Sequence, residues 1–221
     1  MKSAIVFGSS GFVGSHLLSE LLNSSDYGQV TAVARKSLEI THPKLQTVIA
    51  DYNSLAAVKS EITADEVFIA LGTTRANSPE KTEYYEVDHD YPVLAARIAK
   101  ERGAKSVFLV TAVGANLNSR FFYTRTKGET ERDVIALDFE HTHIFRPSMI
   151  LGNRKEKRSL LEAALMRSWS ALNPLLTWKA DKYRGITGED IAKAMIRSAK
   201  SQSEKLKIYH WKEMHDLLRR Q

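Results

Sequence analysis

Short apolar runs alternate with amphipathic stretches along most of this 221-residue chain. Apolar, β-branched runs predict buried strands, and apolar positions that recur every three to four residues predict helices. The predicted strands cover residues 4–7, 30–34, 45–50, 66–71, 106–111 and 142–145, and the helices among them cover residues 12–22, 91–100 and 125–137. This alternation predicts an α/β fold with a doubly wound, mostly parallel sheet covered by helices on both faces.

The pattern changes after Pro147. Helical patterns at 159–172 and 189–201 enclose an irregular, Trp-rich piece, and a strand at 206–210 precedes a last helix. We interpret the chain as a single domain, residues 1–221, in which residues 147–221 contribute a small α-rich cap at the carboxyl edge of the sheet. Three aromatic residues of this region either line a substrate pocket or belong to the core: Trp169, Trp178 and Tyr183.

Composition and charge narrow the possible functions. The absence of cysteine excludes disulfides and thiol chemistry, and the net charge of +6 is interspersed with acids, as on a solvated surface. We therefore expect no nucleic-acid partner. No apolar run reaches membrane-spanning length and the N-terminus enters a strand directly, so we expect a soluble, cytoplasmic protein. His141 and His143 share a strand face without a carboxylate at ligand spacing, so we expect no metal.

A glycine-rich turn joins the first predicted strand to the first predicted helix. Gly8 permits a sharp turn, Gly11 lets the backbone approach a phosphate, and Gly14 lets the helix lie close to the strand. The N–H groups and dipole at the helix start supply positive potential for a dinucleotide pyrophosphate. The candidate cofactor residues of this turn are Gly8, Ser10, Gly11, Phe12, Val13 and Gly14.

The residues after the second predicted strand bear on cofactor choice. An acid at that place would bind ribose hydroxyls, but the chain has Arg35 and Lys36 there. A guanidinium can hold a 2′-phosphate bidentately, which favours NADP(H) over NAD(H). The alternative is that both side chains merely cover the exit of the strand.

Two further strand ends supply candidate cofactor contacts. Asp51, followed by Tyr52, ends the third predicted strand and either accepts a hydrogen bond from the adenine amino group or caps the next helix. Leu71, Gly72 and Thr73 close the fourth predicted strand. A glycine there lets the chain pass beneath a ribose, although a plain turn explains it equally well.

The candidate acid–base pair is Tyr123 and Lys127. Their i,i+4 spacing puts both side chains on one face of a helix that follows the fifth predicted strand. A lysine ammonium next to a phenol favours the phenolate, and a proton donor of this kind suits hydride transfer to a carbonyl. Thr111 ends the fifth strand and could hydrogen-bond the same oxygen.

Together these motifs resemble the short-chain dehydrogenase/reductase superfamily in its extended or atypical branch. The resemblance is carried by G-S-S-G-F-V-G (8–14), T-A-V-G-A (111–115), Y-T-R-T-K-G-E (123–129) and R-P-S-M-I-L-G (146–152). Within the superfamily, A-L-G-T-T (70–74), V-G-A-N and F-Y-T-R-T-K-G-E-T-E resemble the Tat-interacting-protein-like oxidoreductase group. The similarity extends to K-Y-R-G-I-T-G-E-D-I-A-K-A-M (182–195) and so covers essentially the whole chain.

The resemblance implies a Rossmann fold, NADP(H), and roles for individual residues. It makes Tyr123 the acid/base and Lys127 a ligand of the nicotinamide ribose that also tunes Tyr123, and it puts Thr111 in place of the family's serine. It also implies that the chain passes the nicotinamide amide at Arg146 and Pro147, where a structural turn is the alternative. The chain departs from the pattern in having threonine at 111, and it is shorter than the sugar-nucleotide epimerases of the extended branch.

The expected function is NADPH-dependent reduction of a small carbonyl substrate. The alternative is a regulatory or sensor protein that binds NADP(H) with little turnover, since the fold alone does not determine activity. An epimerase or dehydratase with tightly held NAD is disfavoured by Arg35 and by the chain length. Helices that bear the tyrosine often form dimer faces in this superfamily, so a homodimer is a further expectation. The alternative is that the cap covers these helices.

Overall fold

The computed structural model describes residues 1–74, 76–152 and 178–219, and a parallel sheet of seven strands forms its centre. The strands in chain order are β1 (Lys2–Phe7), β2 (Tyr27–Ala34), β3 (Leu45–Ile49), β4 (Glu66–Ile69), β5 (Ser106–Val110), β6 (His141–Phe145), β7 (Ile150–Leu151), β8 (Ile186–Thr187) and β9 (Leu206–Tyr209). The main sheet has the order β3-β2-β1-β4-β5-β6-β9, and β7 pairs with β8 separately.

Helices cover both faces of this sheet. They are α1 (Phe12–Asn23), α2 (Lys81–Tyr85), α3 (Tyr91–Glu101), α4 (Phe122–Ala136), α5 (Gly188–Lys200) and α6 (Trp211–Arg219), with a π-helical turn at Glu86–Asp90 between α2 and α3. Short 3₁₀ helices lie at Lys59–Glu61 and Trp178–Tyr183. The residues of α1 and α5 pack together on one face, and those of α3 and α4 pack on the other.

The strand β1 shows why the central strands are almost continuously apolar. Ala4 and Val6 belong to the core under α1 and α5, whereas Ile5 and Phe7 belong to the core under α3. Successive side chains of a strand point to opposite faces, so a strand covered on both faces needs apolar residues at every position. The predicted α/β fold with a doubly wound parallel sheet is confirmed.

The described part of the segment after Pro147 joins the main sheet and its core. Residues 206–209 form β9, which pairs with β6 in the main sheet from Thr142 opposite Leu206 to Phe145 opposite Tyr209. Helix α5 buries Ile191 and Met195 in the core beneath the sheet. These parts complete the main domain because they cover an open strand edge and an apolar face. The predicted helix 159–172, Trp169 and the side chain of Trp178 lie outside the described residues.

The described residues include no membrane-spanning helix and no metal-ligand cluster. None of the helices there is long and apolar enough to cross a membrane. The same residues contain no group of three or more histidine, aspartate or glutamate side chains that could hold a metal ion.

A row of stacked rings runs across the sheet. Phe68 of β4 stacks on Phe108 of β5 with ring centroids 4.5 Å apart, and Phe108 stacks on His143 of β6 at 4.7 Å. His143 Nδ1 lies 2.9 Å from the Tyr209 hydroxyl oxygen of β9. Burial, with a smaller contribution from the nearby His141, lowers the pKa of His143 to about 4. This imidazole is therefore neutral in the folded protein.

The buried His143 makes stability depend on pH. At pH values below about 6.5, the ordinary pKa of histidine, His143 binds a proton in the unfolded chain. In the folded chain it binds that proton only near pH 4. The stability is therefore complete above that ordinary value and is lost as pH falls. When the pH falls from about 7 to about 5, we expect His143 to lower the free energy of unfolding by about 2 kcal/mol, as measured by urea titration.

The substitution His143→Gln should remove most of this pH dependence. His141→Gln is the matched control, because His141 lies on the same strand but is only partly buried. An unchanged pH dependence in His143→Gln would contradict the assignment.

Candidate active site

The glycine turn closes on itself and on the end of β4. Gly8 has a φ of +86°, and a Cβ there would lie 2.6 Å from the carbonyl oxygen of Ala70. A Cβ at Gly14 would lie 1.9 Å from the Gly8 carbonyl oxygen, whereas one at Gly11 would lie 3.1 Å from it. Because backbone atoms cannot move aside, only glycine fits at positions 8 and 14.

The start of α1 has the donors that an anionic group requires. Gly11 is its N-cap residue without a side-chain capping bond, and no acid lies in the first turn. The Ser9 hydroxyl is buried in the turn and has no hydrogen-bond partner among the described residues. The N–H groups at this helix start, the helix dipole and this hydroxyl fit the pyrophosphate of a dinucleotide. Ser9 is missing from our sequence prediction because nothing in the motif separates it from Ser10, which is exposed.

Two apolar residues of the turn hold its position. Val13 is buried in the core under α1, so its side chain is structural. The Phe12 ring packs between two glycines: a Cβ at Gly152 would lie 2.4 Å from it and one at Gly188 2.9 Å. Phe12 therefore connects the glycine turn to the end of β7 and to the start of α5.

At the adenosine end, Arg35 and Lys36 are exposed directly after β2, and Asp51 follows the neighbouring β3. The Asp51 carboxylate accepts the Ser54 N–H at 2.9 Å and the Ser54 hydroxyl at 2.7 Å. These bonds hold the pKa of Asp51 below its usual range. These bonds close a turn at residues 51–54 and do not cap a helix, because the next helical element is the 3₁₀ helix Lys59–Glu61, whose N-cap residue is Val58.

Tyr91 lies beneath this end of the site. Burial, followed by the charge of Asp51, raises the pKa of Tyr91 to about 12, and Arg35 opposes that shift. The Tyr52 ring, itself partly exposed, packs edge-on against Tyr91 with centroids 6.1 Å apart. Arg35, Asp51 and Tyr52 are thus brought together around one aromatic ring.

Tyr123 lies in the first turn of α4 and is 44% exposed, whereas Lys127 one turn later is buried. The Tyr84 ring of α2 packs edge-on against Tyr123 at 6.4 Å, and burial raises the Tyr84 pKa above its ordinary value. A Cβ at Gly128 would lie 2.5 Å from the backbone of Asn116, so the loop after β5 lies directly on α4.

The Lys127 ammonium has a partner that the sequence did not identify. Its Nζ lies 2.6 Å from Asp88 Oδ1, and the two side chains are only 6% and 1% exposed. The second carboxylate oxygen of Asp88 accepts the Thr73 N–H at 2.8 Å. A Cβ at Gly72 would be 3.6 Å from Asp88 Oδ1 and 3.7 Å from Lys127 Nζ. The structure therefore brings Gly72, Thr73 and Lys127 together around Asp88, and partly buried Leu71 packs on the adjacent core.

The sequence does not single out Asp88. It is one of three acids in E-V-D-H-D (86–90), and the structure shows that these five residues form a π-helical turn, a geometry often found at functional sites. Without the three-dimensional neighbour Lys127, that acid is indistinguishable from a surface residue.

Thr111 and Arg146 occupy different surroundings from those expected. The Thr111 hydroxyl donates its one proton to Glu131 Oε1 at 2.6 Å. Arg146 donates from Nε to the same oxygen at 2.9 Å and from Nη2 to Glu131 Oε2. The Pro147 carbonyl accepts the Val113 N–H at 2.8 Å. These groups form a buried link between α4, β5 and β6, so Thr111 does not donate to the oxygen of Tyr123, and Arg146 and Pro147 serve as a structural turn.

Comparison with known proteins identifies the relatives of this chain. The profile of a family described as NAD(P)H-binding matches residues 8–202. Protein FMP52-1, mitochondrial, of Scheffersomyces stipitis is 30% identical over 227 residues, covering 99% of this chain and 99% of that protein. Protein FMP52, mitochondrial, of Eremothecium gossypii is 35% identical over 153 residues, covering 69% of this chain and 68% of that protein.

A solved structure has the same fold. MoeE5 in complex with UDP-glucose and NAD superposes with a TM-score of 0.70 at 19% identity, covering 93% of this chain and 74% of that chain. At this identity the likeness shows the fold alone. The names of the relatives correct one expectation: they are mitochondrial proteins, so the expected cytoplasmic location is wrong.

The buried pair of Lys127 and Asp88 should be costly to break from one side. We expect Asp88→Ala to lower the free energy of unfolding by about 3–5 kcal/mol, because it leaves a buried ammonium unpaired. The double variant Asp88→Asn, Lys127→Met should lose much less, since neither charge remains. Urea unfolding measures these differences.

The exposed pair of Lys193 and Glu189 provides the control. Lys193→Met should change stability by at most about 0.5 kcal/mol, because solvent screens that pair. A loss in Asp88→Ala no larger than in this control would show that the buried pair is not formed.

Proposed function

The chain belongs to the NAD(P)H-binding family, and from that membership we propose that it is an NADPH-dependent oxidoreductase that transfers hydride to a small carbonyl substrate. The observation that carries this proposal is the exposed Tyr123 phenol one helical turn from the buried Lys127. The motifs at 70–74 and 122–131 support membership of the Tat-interacting-protein-like group.

The proposed cofactor fits the residues of the turn and the strand ends. The backbone of residues 8–14 and the Ser9 hydroxyl would hold the pyrophosphate, and Arg35 would hold the 2′-phosphate. Lys127, next to Gly72, would bind the nicotinamide ribose. When bound, the cofactor supplies the hydride.

In the proposed reaction Tyr123 gives its phenolic proton to the carbonyl oxygen. Its exposure lets a substrate oxygen reach the hydroxyl, and the Tyr84 ring borders it on one side. Lys127 supports the phenolate that remains. Thr111 is not assigned a role in aligning the substrate, because its proton is donated to Glu131.

One observation favours the second candidate, an NADP(H)-binding sensor with little turnover. The Thr111 hydroxyl donates to Glu131, so Thr111 does not take the role that the superfamily pattern gives to its serine. A homodimer formed through α4 remains part of both proposals.

Replacement of the phenol separates the two functions. We expect Tyr123→Phe to lower kcat/KM for NADPH oxidation by about 10²–10⁴-fold over a panel of aldehydes, ketones and quinones, because the proton donor is removed. Tyr85→Phe is the control, since Tyr85 stacks on His89 instead. Equal rates in Tyr123→Phe and wild type would exclude the mechanism and favour the sensor.

The preference for NADPH depends on Arg35. We expect Arg35→Ser to raise the Kd for NADPH about tenfold and to leave the Kd for NADH nearly unchanged, because the lost contact is to the 2′-phosphate. Arg102→Ser removes an exposed arginine that contacts Thr63 and serves as the control. Fluorescence titration measures both dissociation constants for each protein, and equal affinities of the wild type for NADPH and NADH would overturn the assignment.

A further inference from the structure

We propose that Asp88 is a positioning residue of the acid–base pair: it fixes the Lys127 ammonium in place and cancels most of its charge beside Tyr123. The inference rests on the proposed function, because it concerns the same pair of residues. Asp88 itself touches neither the substrate nor the phenol in this assignment and acts through Lys127.

Asp88 is held on three sides. Its Oδ1 lies 2.6 Å from Lys127 Nζ, and its Oδ2 accepts the Thr73 N–H at 2.8 Å. Its backbone carbonyl accepts the Thr130 hydroxyl of α4, also at 2.8 Å. These bonds connect the turn after β4, the π-helical turn and α4. A carboxylate held in this way defines where the ammonium of Lys127 lies.

Of the acidic residues in the π-helical turn, Asp88 is the one that contacts Lys127. The turn Glu86–Asp90 also contains His89, whose two ring nitrogens lie 2.7 Å from Asp90 and 2.9 Å from Asp133. Glu86 is exposed. Within the turn, Asp88 therefore faces Lys127, whereas the buried His89 faces Asp90 and Asp133.

The burial of the pair determines its electrostatic effect. Opposite charges at this distance attract strongly where water is excluded, and a third group nearby experiences mainly their difference. A buried ammonium without a partner would favour the Tyr123 phenolate more strongly than the neutral pair does. Asp88 therefore weakens the acidifying effect of Lys127.

Among the described contacts, the neighbouring elements present these groups to Tyr123 and Lys127. Helix α2 contributes the Tyr84 phenol, and the turn after β4 contributes the uncharged Thr73 N–H. On α4, Glu129 lies 3.9 Å from Arg125, and Glu131 is paired with Arg146. Among the described contacts of Lys127, Asp88 is the carboxylate that can balance it.

The test follows the ionisation of Tyr123 in the cofactor-free protein, by NMR of protein labelled with ¹³C in its tyrosine rings. Tyr123→Phe assigns the signal. We expect Asp88→Asn to lower the pH midpoint of Tyr123 ionisation by about one pH unit, since the Lys127 charge is no longer balanced. Asp90→Asn removes the same charge from the same turn but faces His89, and we expect no shift from it.

A second pair of variants protects the test against misfolding of Asp88→Asn. Lys127→Met should raise the midpoint, because Asp88 then acts alone. Adding Asp88→Asn to Lys127→Met should return it to near the wild-type value, because the net charge of the pair is again zero. Circular dichroism identifies any variant that does not fold.

The possible results separate this inference from the proposed function. An unmoved midpoint in Asp88→Asn, or equal shifts in Asp88→Asn and Asp90→Asn, would overturn the role of Asp88. A shift confined to Asp88→Asn supports that role even if no carbonyl substrate is turned over, in which case the proposed function fails and the electrostatic assignment stands.

Discussion

The backbone of the glycine turn lies against itself and against the end of β4, and the candidate site is arranged around that contact. With Gly14 against the Gly8 carbonyl and Gly8 against the Ala70 carbonyl, α1, β1 and β4 cannot move apart independently. The chain continues from Ala70 directly into Gly72 and Thr73, which contact the Asp88–Lys127 pair. The glycine turn and the Asp88–Lys127 pair are therefore positioned by one continuous stretch of backbone.

Helix α4 presents a row of candidate site residues on one face. Tyr123, Lys127 and Glu131 follow one another at i,i+4 spacing, so they line the same face of the helix. Lys127 and Glu131 are both buried in ion pairs. Helix α4 supplies the cation of the pair with Asp88 and the anion of the pair with Arg146. Two such pairs contribute little net stability but fix the rotation of the helix. That rotation leaves Tyr123 at the exposed end of the row.

Much of this fold was predictable from the sequence because burial on both faces produces long apolar strands, and these fixed the six predicted strands close to their observed bounds. The position of β9 was not predictable, because nothing in the sequence of a short, partly exposed strand indicates which strand it pairs with. The glycine turn and Tyr123–Lys127 follow from local spacing. The partners of Thr111 and Lys127 do not, because Glu131 and Asp88 are 20 and 39 positions away in the chain.

The row of rings across the sheet bears on the order in which the protein can be made. His143 and Phe145 lie on β6, and they are covered on their outer side by β9 through Tyr209. During synthesis β9 leaves the ribosome after all the other strands of the main sheet. Until then these two rings stand at an open strand edge, where a chaperone or another chain can reach them. The main sheet can therefore be completed only after its other six strands have been synthesised.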